Sequence, residues 1–392
     1  MTENFDVQAL RAETPGCSLS AFFNHSGASL PSARTTRAIA THLDREALHG
    51  GMEAAALVET ELTETRRMAE ALLGAQQNEV AYTSSASAAI GLAFAAMPPL
   101  QRGDRILVGR HEWGGNVSTY MHAANRAGAT VEVIPCREDG TVDAEALARM
   151  VDERVRLVSL TWVPANGGLV NDAEAIGQVT SAAGVPYFID AGQVLGQMPV
   201  DVERLRCDVL KGTCRKFLRG PRGTALLYVR NAFAETLRPV FLDVQSGPWG
   251  MDGPKVRRDA RAFETIEGSV ALIMGLREAL LQVEAVGVDR IQARVKRLAD
   301  SLRAQLSEVP GVLVRDLGTE RCGLVSFTVE GADSAMIKRE LAARHIVVGG
   351  NGVSYTPYDM TARGLTSIVR ASVSYLNTEE ELDALVRAVS TL

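Results

Sequence analysis

Apolar residues in the middle of this chain come in short β-rich runs, separated by longer stretches in which they recur every three or four positions. The runs RILVG from Arg105, TVEVIP from Thr130, VRLVSL from Val155, VPYFI from Val185, DVLK from Asp208 and TALLYV from Thr224 read as strands. Between them, Asn116–Arg126, Ala144–Asp152 and Ala173–Ala183 show amphipathic spacing and are long enough to cross back over a sheet. From about Glu79 to Val229 the pattern therefore predicts an α/β fold, a large domain whose mostly parallel sheet is sandwiched by helices. Ligands of such a sheet belong at the carboxyl ends of its strands.

The flanks read differently. After an irregular N-terminal segment and the sheet region, the Gly-, Pro- and charge-rich run from Gln245 to Arg261 predicts a long loop, able to reach a neighbouring subunit, before a helix beginning near Gly268. Beyond it the pattern predicts a helix over Val286–Leu306, strands at Val312–Val314 and Leu324–Val329, and a helix at Ala335–Arg344. Strands at Ile346–Val348 and Ser367–Val373 follow, then a last helix from about Thr378. This order predicts a small α+β C-terminal domain. The expected division is an N-terminal segment over 1–30, a large domain over 31–265 and the small domain over 266–392.

Composition narrows the function classes. A chain of 392 residues with 46% hydrophobic and 22% charged content can bury one large core and a second, smaller one. No apolar run reaches the roughly 18 residues of a membrane span, and MTENFDVQAL lacks the basic start and apolar stretch of a secretion signal. The expectation is a cytoplasmic protein without membrane contact. The five cysteines are scattered, with no C-x-x-C pair, so neither a disulfide framework nor a metal site is expected. A net charge of −6 gives no basic field for nucleic acid, yet Arg215, Lys216, Arg219 and Arg222 cluster locally and call for a smaller anion. Neither G-x-x-x-x-G-K-[ST] nor G-x-G-x-x-G is present, which argues against a nucleotide.

In YFIDAGQVLGQMPVD a buried run ends in Asp190, with Gln193 three residues on. A strand-end acid is ordinarily a turn or capping residue; at this place it also suits a pyridine ring whose nitrogen must stay protonated to draw electrons from a substrate carbon. In CDVLKGTCRKFLRGPRGTALLYV the next strand leads to Thr213, Arg215 and Lys216. Most lysines are solvated surface charges. One that is desolvated beside a cation such as Arg215 has a lowered pKa, and its neutral amine can attack an aldehyde.

These motifs resemble those of the fold-type I pyridoxal-phosphate enzymes, in particular the class V aminotransferase and cysteine desulfurase group, and the resemblance runs over nearly the whole chain. Asp190, Gln193 and Gly196 match the family's Asp-x-x-Gln-x-x-Gly. Thr213, Arg215 and Lys216 match its Ser/Thr-x-His-Lys, with Arg in place of His. The resemblance implies pyridoxal 5'-phosphate as cofactor, carried by Lys216 as a Schiff base. Asp190 would then stand at the ring nitrogen, Gln193 at the phenolate oxygen, and Thr213 and Arg215 at the phosphate.

YTSSASAAIGLAF is similar to the family's phosphate loop, where small residues open a helix, with Ala86 and Ser87 at the matching positions. HEWGGNV falls where the family places a ring on the cofactor face, which implies Trp113. TWVPANGGLVN resembles an Asn-x-x-Gly segment in which Ala165 replaces the Asn and Asn166 stands beside it. IVRASVSYLN matches the strand that grips a substrate carboxylate, implying Arg370, and FFNHSGASLP matches the segment lining the substrate entrance, implying Asn24 and His25. AFETIEGSVAL resembles the stretch that crosses a dimer interface, implying a homodimer with Thr265 near the partner's phosphate.

The family transaminates, desulfurates, eliminates and epimerises, so the fold does not select a reaction. Desulfurases need a nucleophilic cysteine on the loop before the carboxylate arginine, and GGNGVSYTPYDMTARG contains none. RKFLRGPRGTALLYV and VPANGGLVN look most like a subgroup of isopenicillin N epimerase-like proteins and hercynylcysteine sulfoxide lyases. The expected activity is C–S β-elimination from an S-substituted cysteine or its sulfoxide, with pyruvate and ammonia as products. An aminotransferase or amino-acid epimerase is the alternative, with Tyr120, Tyr355 or Tyr358 as a second acid, and a non-catalytic relative a further one.

Overall fold

In the computed structural model, which describes residues 5–392, the six strands foreseen between Arg105 and Val229 join one further strand in a seven-stranded sheet. Its members are β2 (Val80–Thr83), β3 (Arg105–Gly109), β4 (Thr130–Ile134), β5 (Val155–Thr161), β6 (Tyr187–Asp190), β7 (Val209–Thr213) and β8 (Ala225–Val229). They lie in the order β2-β8-β7-β6-β5-β3-β4, and only β8 runs against its neighbours. Every residue of β6 and β8 is buried, as an apolar run covered on both faces requires. One face packs Leu107, Val158, Leu160, Ile189 and Leu210 into a large core, and the other packs Ile106, Val108, Leu157, Phe188, Val209 and Leu227 into a second. The alternation of neighbouring residues between the two cores is the period of two of a strand.

A five-stranded sheet is built from β1 (Ala21–Phe23), β11 (Val312–Val314), β12 (Leu324–Val329), β13 (Ile346–Gly352) and β14 (Ser367–Ser372), in the order β1-β13-β14-β12-β11. Helices Val288–Ser307, Ser334–Ala343 and Glu379–Val389 contribute to its core. The last of them opens with a capping box between Thr378 and Glu381. The strand β1 comes from the N-terminal segment and pairs in parallel with β13, so the first part of the chain is stitched into the sheet of its last part.

Several elements escaped the sequence pattern. Helices Ala33–His49, Gly51–Ala56 and Glu59–Leu73 occupy a region without a clear apolar stripe; the first buries only Thr35 and His42 of its own residues and rests against helix Val270–Val286. Strand β2 is short and apolar, and it pairs with β8. The Gln245–Arg261 run holds a two-residue hairpin, β9 (Trp249–Gly250) with β10 (Gly253–Pro254), ahead of a short 3-10 helix at Ala260–Phe263. The first four residues of the N-terminal segment lie outside the described residues.

Gly196 closes the turn after β6 at φ +85°, and a Cβ there would stand 2.4 Å from Leu218 Cα and 2.5 Å from Leu218 N, on the loop that carries Lys216. Gly196→Ala adds a backbone clash to left-handed strain and is expected to cost roughly 3 kcal/mol or more. Gly364→Ala, at φ +63° with nothing within 4 Å of the new methyl, is expected to cost only about 1 kcal/mol. Thermal or urea unfolding of the two variants checks the difference; equal shifts would remove the close approach at Leu218 as a constraint.

Candidate active site

The strands β3, β5, β6 and β7 run parallel, and the turns after them meet a wall from the second sheet around a cavity of about 520 Å³. At its floor, Asp190 ends β6 and Lys216 follows β7. A Cβ placed on Gly192 would lie 2.9 Å from Asp190 Oδ1, 3.2 Å from Thr213 Oγ1 and 3.6 Å from Lys216 Nζ. These three side chains therefore converge on one point, and only glycine leaves it open.

Asp190 is buried and fully engaged. Its Oδ1 accepts from Gly192 N at 2.9 Å, while its Oδ2 accepts from Asn116 Nδ2 at 3.2 Å and pairs with Lys211 Nζ at 3.0 Å. Burial alone would raise its pKa, but the charges of Lys211 and Lys216 and these hydrogen bonds outweigh it and hold the carboxyl below its ordinary value. Lys216 responds to enclosure in the opposite sense. Desolvation pushes its amine down to about 7; Asp190 opposes this, and Arg215, Arg370 and Lys211 add to it.

The network continues into the protein. Lys211 Nζ donates to Asn116 Oδ1 at 2.8 Å, and Asn116 Nδ2 donates to Glu112 Oε1 at 2.7 Å. Glu112 also accepts from Ser159 Oγ at 3.1 Å and from Thr161 N at 2.8 Å. Burial raises its carboxyl to about 7, with Asp190 adding to the rise. Lys211, Asn116 and Glu112 were not singled out in the sequence. The available signal was a lysine inside an otherwise apolar, centrally placed strand, which only a buried partner can balance.

The other expected residues divide into those at the cavity and those elsewhere. Ala86 and Ser87, the first turn of helix Ala86–Ala95, line it, and Ser85 caps that helix by accepting from Ala88 N at 3.1 Å. The first N–H groups of a helix have no partner inside it and suit an anion. Trp113 lines the cavity edge-on to Tyr355, ring centroids 5.5 Å apart. Gln193 donates to Ser26 O at 3.2 Å, and its Oε1 is buried without a partner. Arg215 also lines the cavity and donates to Gly27 O.

Arg370 projects from β14, is buried, and donates to Ala165 O at 2.7 Å while its Nε has no partner. Desolvation pulls the guanidinium down to about 10. Asn24 stands close by, its Oδ1 also unpaired: a Cβ on Gly349 would meet it at 2.8 Å and Arg370 Nη2 at 3.2 Å. Asn166 is bound to Asn351 and Thr356 instead of lining the cavity, whereas Ala165 lines it.

Two expected residues stand apart. His25 does not line the cavity. Its ring lies between Phe22 and Phe217, it contacts Ser29 Oγ at 2.6 Å and Phe22 O at 3.0 Å, and burial, with Arg219, lowers it to about 3. It is thus a neutral buttress for the segment that presents Asn24 and Ser26. Thr265 is exposed, beyond the 3-10 helix, and lies outside the cavity lining. Of the three tyrosines, Tyr355 lines the cavity, Tyr120 is buried against Ser159 at 3.1 Å, and Tyr358 contacts Met121.

The unpaired Gln193 Oε1, Asn24 Oδ1 and Arg370 Nε, the helix start at Ser85–Ser87 and the Asp190–Lys216 pair fit one ligand carrying an aldehyde, a basic ring atom and a phosphate, together with a carboxylate-bearing substrate. Fold and site define a pyridoxal-phosphate enzyme of fold type I. The chain belongs to the class V aminotransferase family, whose profile (Aminotransferase class-V) matches residues 22–385.

Among its relatives, the probable cysteine desulfurase of Xylella fastidiosa (strain 9a5c) is 28% identical over 337 residues, 84% of this chain and 80% of the relative. The cysteine desulfurase of Dickeya dadantii (strain 3937) is 30% identical over 298 residues, 73% of this chain and 69% of the relative. The structure of the Escherichia coli cysteine desulfurase CsdA superposes with a TM-score of 0.89 at 22% identity, covering 99% of this chain and 98% of that one.

The position of Lys216 generates a pH dependence. Its amine is neutral above about 7, so covalent capture of pyridoxal phosphate by cofactor-free protein is expected to rise as pH passes about 7 and level off above it. Borohydride reduction followed by peptide mapping measures the capture. Lys216→Ala should capture nothing while remaining folded; fixation at another lysine would displace Lys216 from this role.

Proposed function

We propose that the protein is a C–S β-lyase acting on an S-substituted cysteine or its sulfoxide. The observation that carries this reading is the cavity wall: none of the five cysteines lines it. Cys207, Cys214 and Cys322 are buried, and burial pushes the thiols of Cys214 and Cys322 up to about 12 and about 11. No thiolate is placed to take sulfur from a substrate, which favours a reaction in which the sulfur group simply leaves.

Bound pyridoxal phosphate supplies an aldehyde for condensation with amines and an electron-poor ring that stabilises negative charge on a substrate carbon. Thr213, Arg215 and the turn at Ser84–Ser87 would hold its phosphate, Gln193 its phenolate oxygen, and Trp113 would lie against its ring. Arg370 and Asn24 hold the substrate carboxylate and so aim its α-hydrogen at Lys216. Lys216 Nζ removes the α-proton. The electron pair of that bond forms the Cα–Cβ double bond, and the Cβ–S pair leaves with sulfur as thiolate or sulfenate, which needs no second acid. Addition of water to the released enamine gives pyruvate and ammonia.

The exposed apolar residues Trp249 and Met251 in the Gly- and Pro-rich run, with Phe241 and Val244 just before it, favour a homodimer in which that run and Thr265 meet the partner. Free thiols at all five cysteines are consistent with the cytoplasm. No helix among the described residues is long and apolar enough to cross a membrane. Epimerisation is a second reading, favoured by Tyr355, whose place on the cavity wall could serve a second proton transfer. Retention of a depressed-pKa Lys216 weighs against a non-catalytic relative.

Incubation with S-substituted cysteines and their sulfoxides is expected to give pyruvate and ammonia in equal amounts. Stoichiometric transfer of the amino group to a 2-oxo acid, or loss of optical purity without sulfur release, would replace the lyase reading. Turnover by Cys322→Ala and Cys214→Ala is expected to stay within about threefold of the parent, since neither thiol takes part. Abolition of turnover in either variant, with cofactor content unchanged, would restore a cysteine to the chemistry.

A further inference from the structure

Lys211 has no part in the reaction as described so far, yet it lines the cavity floor and is 2% exposed. It sits on β7 directly opposite Asp190 on β6, and its Nζ is 3.0 Å from Asp190 Oδ2 and 2.8 Å from Asn116 Oδ1. We propose that Lys211 is a positioning residue that shares Asp190 with the cofactor's ring nitrogen and so weakens that nitrogen's hold on its proton. The inference rests on the reading that the ring lies against Asp190.

The capacity of Asp190 is the first argument. Gly192 N–H occupies Oδ1, and Oδ2 already takes Asn116 and Lys211. A carboxylate has about four lone-pair sites, so a ring N–H must divide a negative charge that a buried ammonium already engages. The second argument is sign. Two cations on one carboxylate repel, and the one that can lose its proton more readily is the pyridinium.

Lys211 cannot easily step aside, because withdrawing it leaves Asn116 Oδ1 and Asp190 buried and under-satisfied. The titratable and charged groups around it are few. Asp190 comes from β6, and Lys216 and Arg215 from the loop after β7. Glu112 is reached through Asn116, Tyr120 lies against Ser159, and Arg370 stands on the far wall. Helix Ala86–Ala95, packed on β7, carries no titratable side chain, and the β8 residue opposite Lys211 is Leu227. Asp190 is thus the carboxylate in direct contact with Lys211, and Glu112 the second carboxyl, reached through Asn116.

The test reconstitutes the parent, Lys211→Met and Lys211→Arg with pyridoxal phosphate isotopically labelled at its ring nitrogen, and follows the nitrogen chemical shift against pH. The parent nitrogen is expected to lose its proton at a pH roughly 1–2 units below that of Lys211→Met, a 10- to 100-fold difference in proton affinity, with Lys211→Arg following the parent. Identical titration of parent and Lys211→Met overturns the proposal. Should Lys211→Met fail to fold or to hold the cofactor, the parent decides alone: release of the ring proton within the range where the holoenzyme stays folded supports the proposal, and retention throughout overturns it. Borohydride fixation at Lys216 in the same samples reports separately on the site itself. Cofactor fixed there with an unshifted nitrogen refutes the part given to Lys211, and absence of fixation refutes the underlying reading.

Discussion

A carboxylate taken out of water stays ionised only if charge and hydrogen-bond donors reach it from several sides. At Asp190 they come from three places in the chain. The turn after β6 supplies Gly192 N–H, the neighbouring strand supplies Lys211, and the helix after β3 supplies Asn116. This is why the order of strands in the sheet matters chemically: β7 beside β6 delivers the lysine, and β3 on the other side of β5 delivers the asparagine. Together these donors, with the charge of Lys216, keep the acid ionised against the pull of burial, and only an ionised acid can balance a protonated ring.

Enclosure acts on the two ends of the site with opposite outcomes. It is overruled at Asp190 and prevails at Lys216, because the acid has dedicated partners and the amine has mostly like-charged neighbours. One buried setting thereby favours the ionised acid and a usable base around the same point. The fold common to the class V family provides this pair for many reactions. The walls around this pair carry Arg370 with its unpaired Nε, Tyr355 against Trp113, and no thiol.

Much of this was legible in the sequence for a simple reason. Asp190 and Lys216 follow on strongly apolar runs, so periodicity located the strand ends and strand ends the crevice, while Gln193, Thr213 and Arg215 came from the family resemblance. Lys211, Asn116 and Glu112 were not legible because their significance lies in contacts across the sheet, and a lone lysine in a strand reads as a solvated charge. His25 was misplaced by one residue's worth of direction: Asn24 faces the cavity while the next side chain turns into the protein. The helices between Ala33 and Leu73 escaped because few of their positions are buried within the chain, which left no apolar stripe for the pattern to show.

The union of β1 with β13 has an effect on how the molecule comes into being. Ala21 pairs with Ile346, so an edge strand of one sheet waits for a partner that follows it far along the chain. Closing so long a loop is entropically slow, and the stretch that continues from β1 through Asn24 and Ser26 cannot be fixed before it closes. The catalytic chamber is accordingly incomplete until β13 is in place, and a chain arrested before that strand emerges would own both Asp190 and Lys216 yet lack the wall that confines a substrate between them.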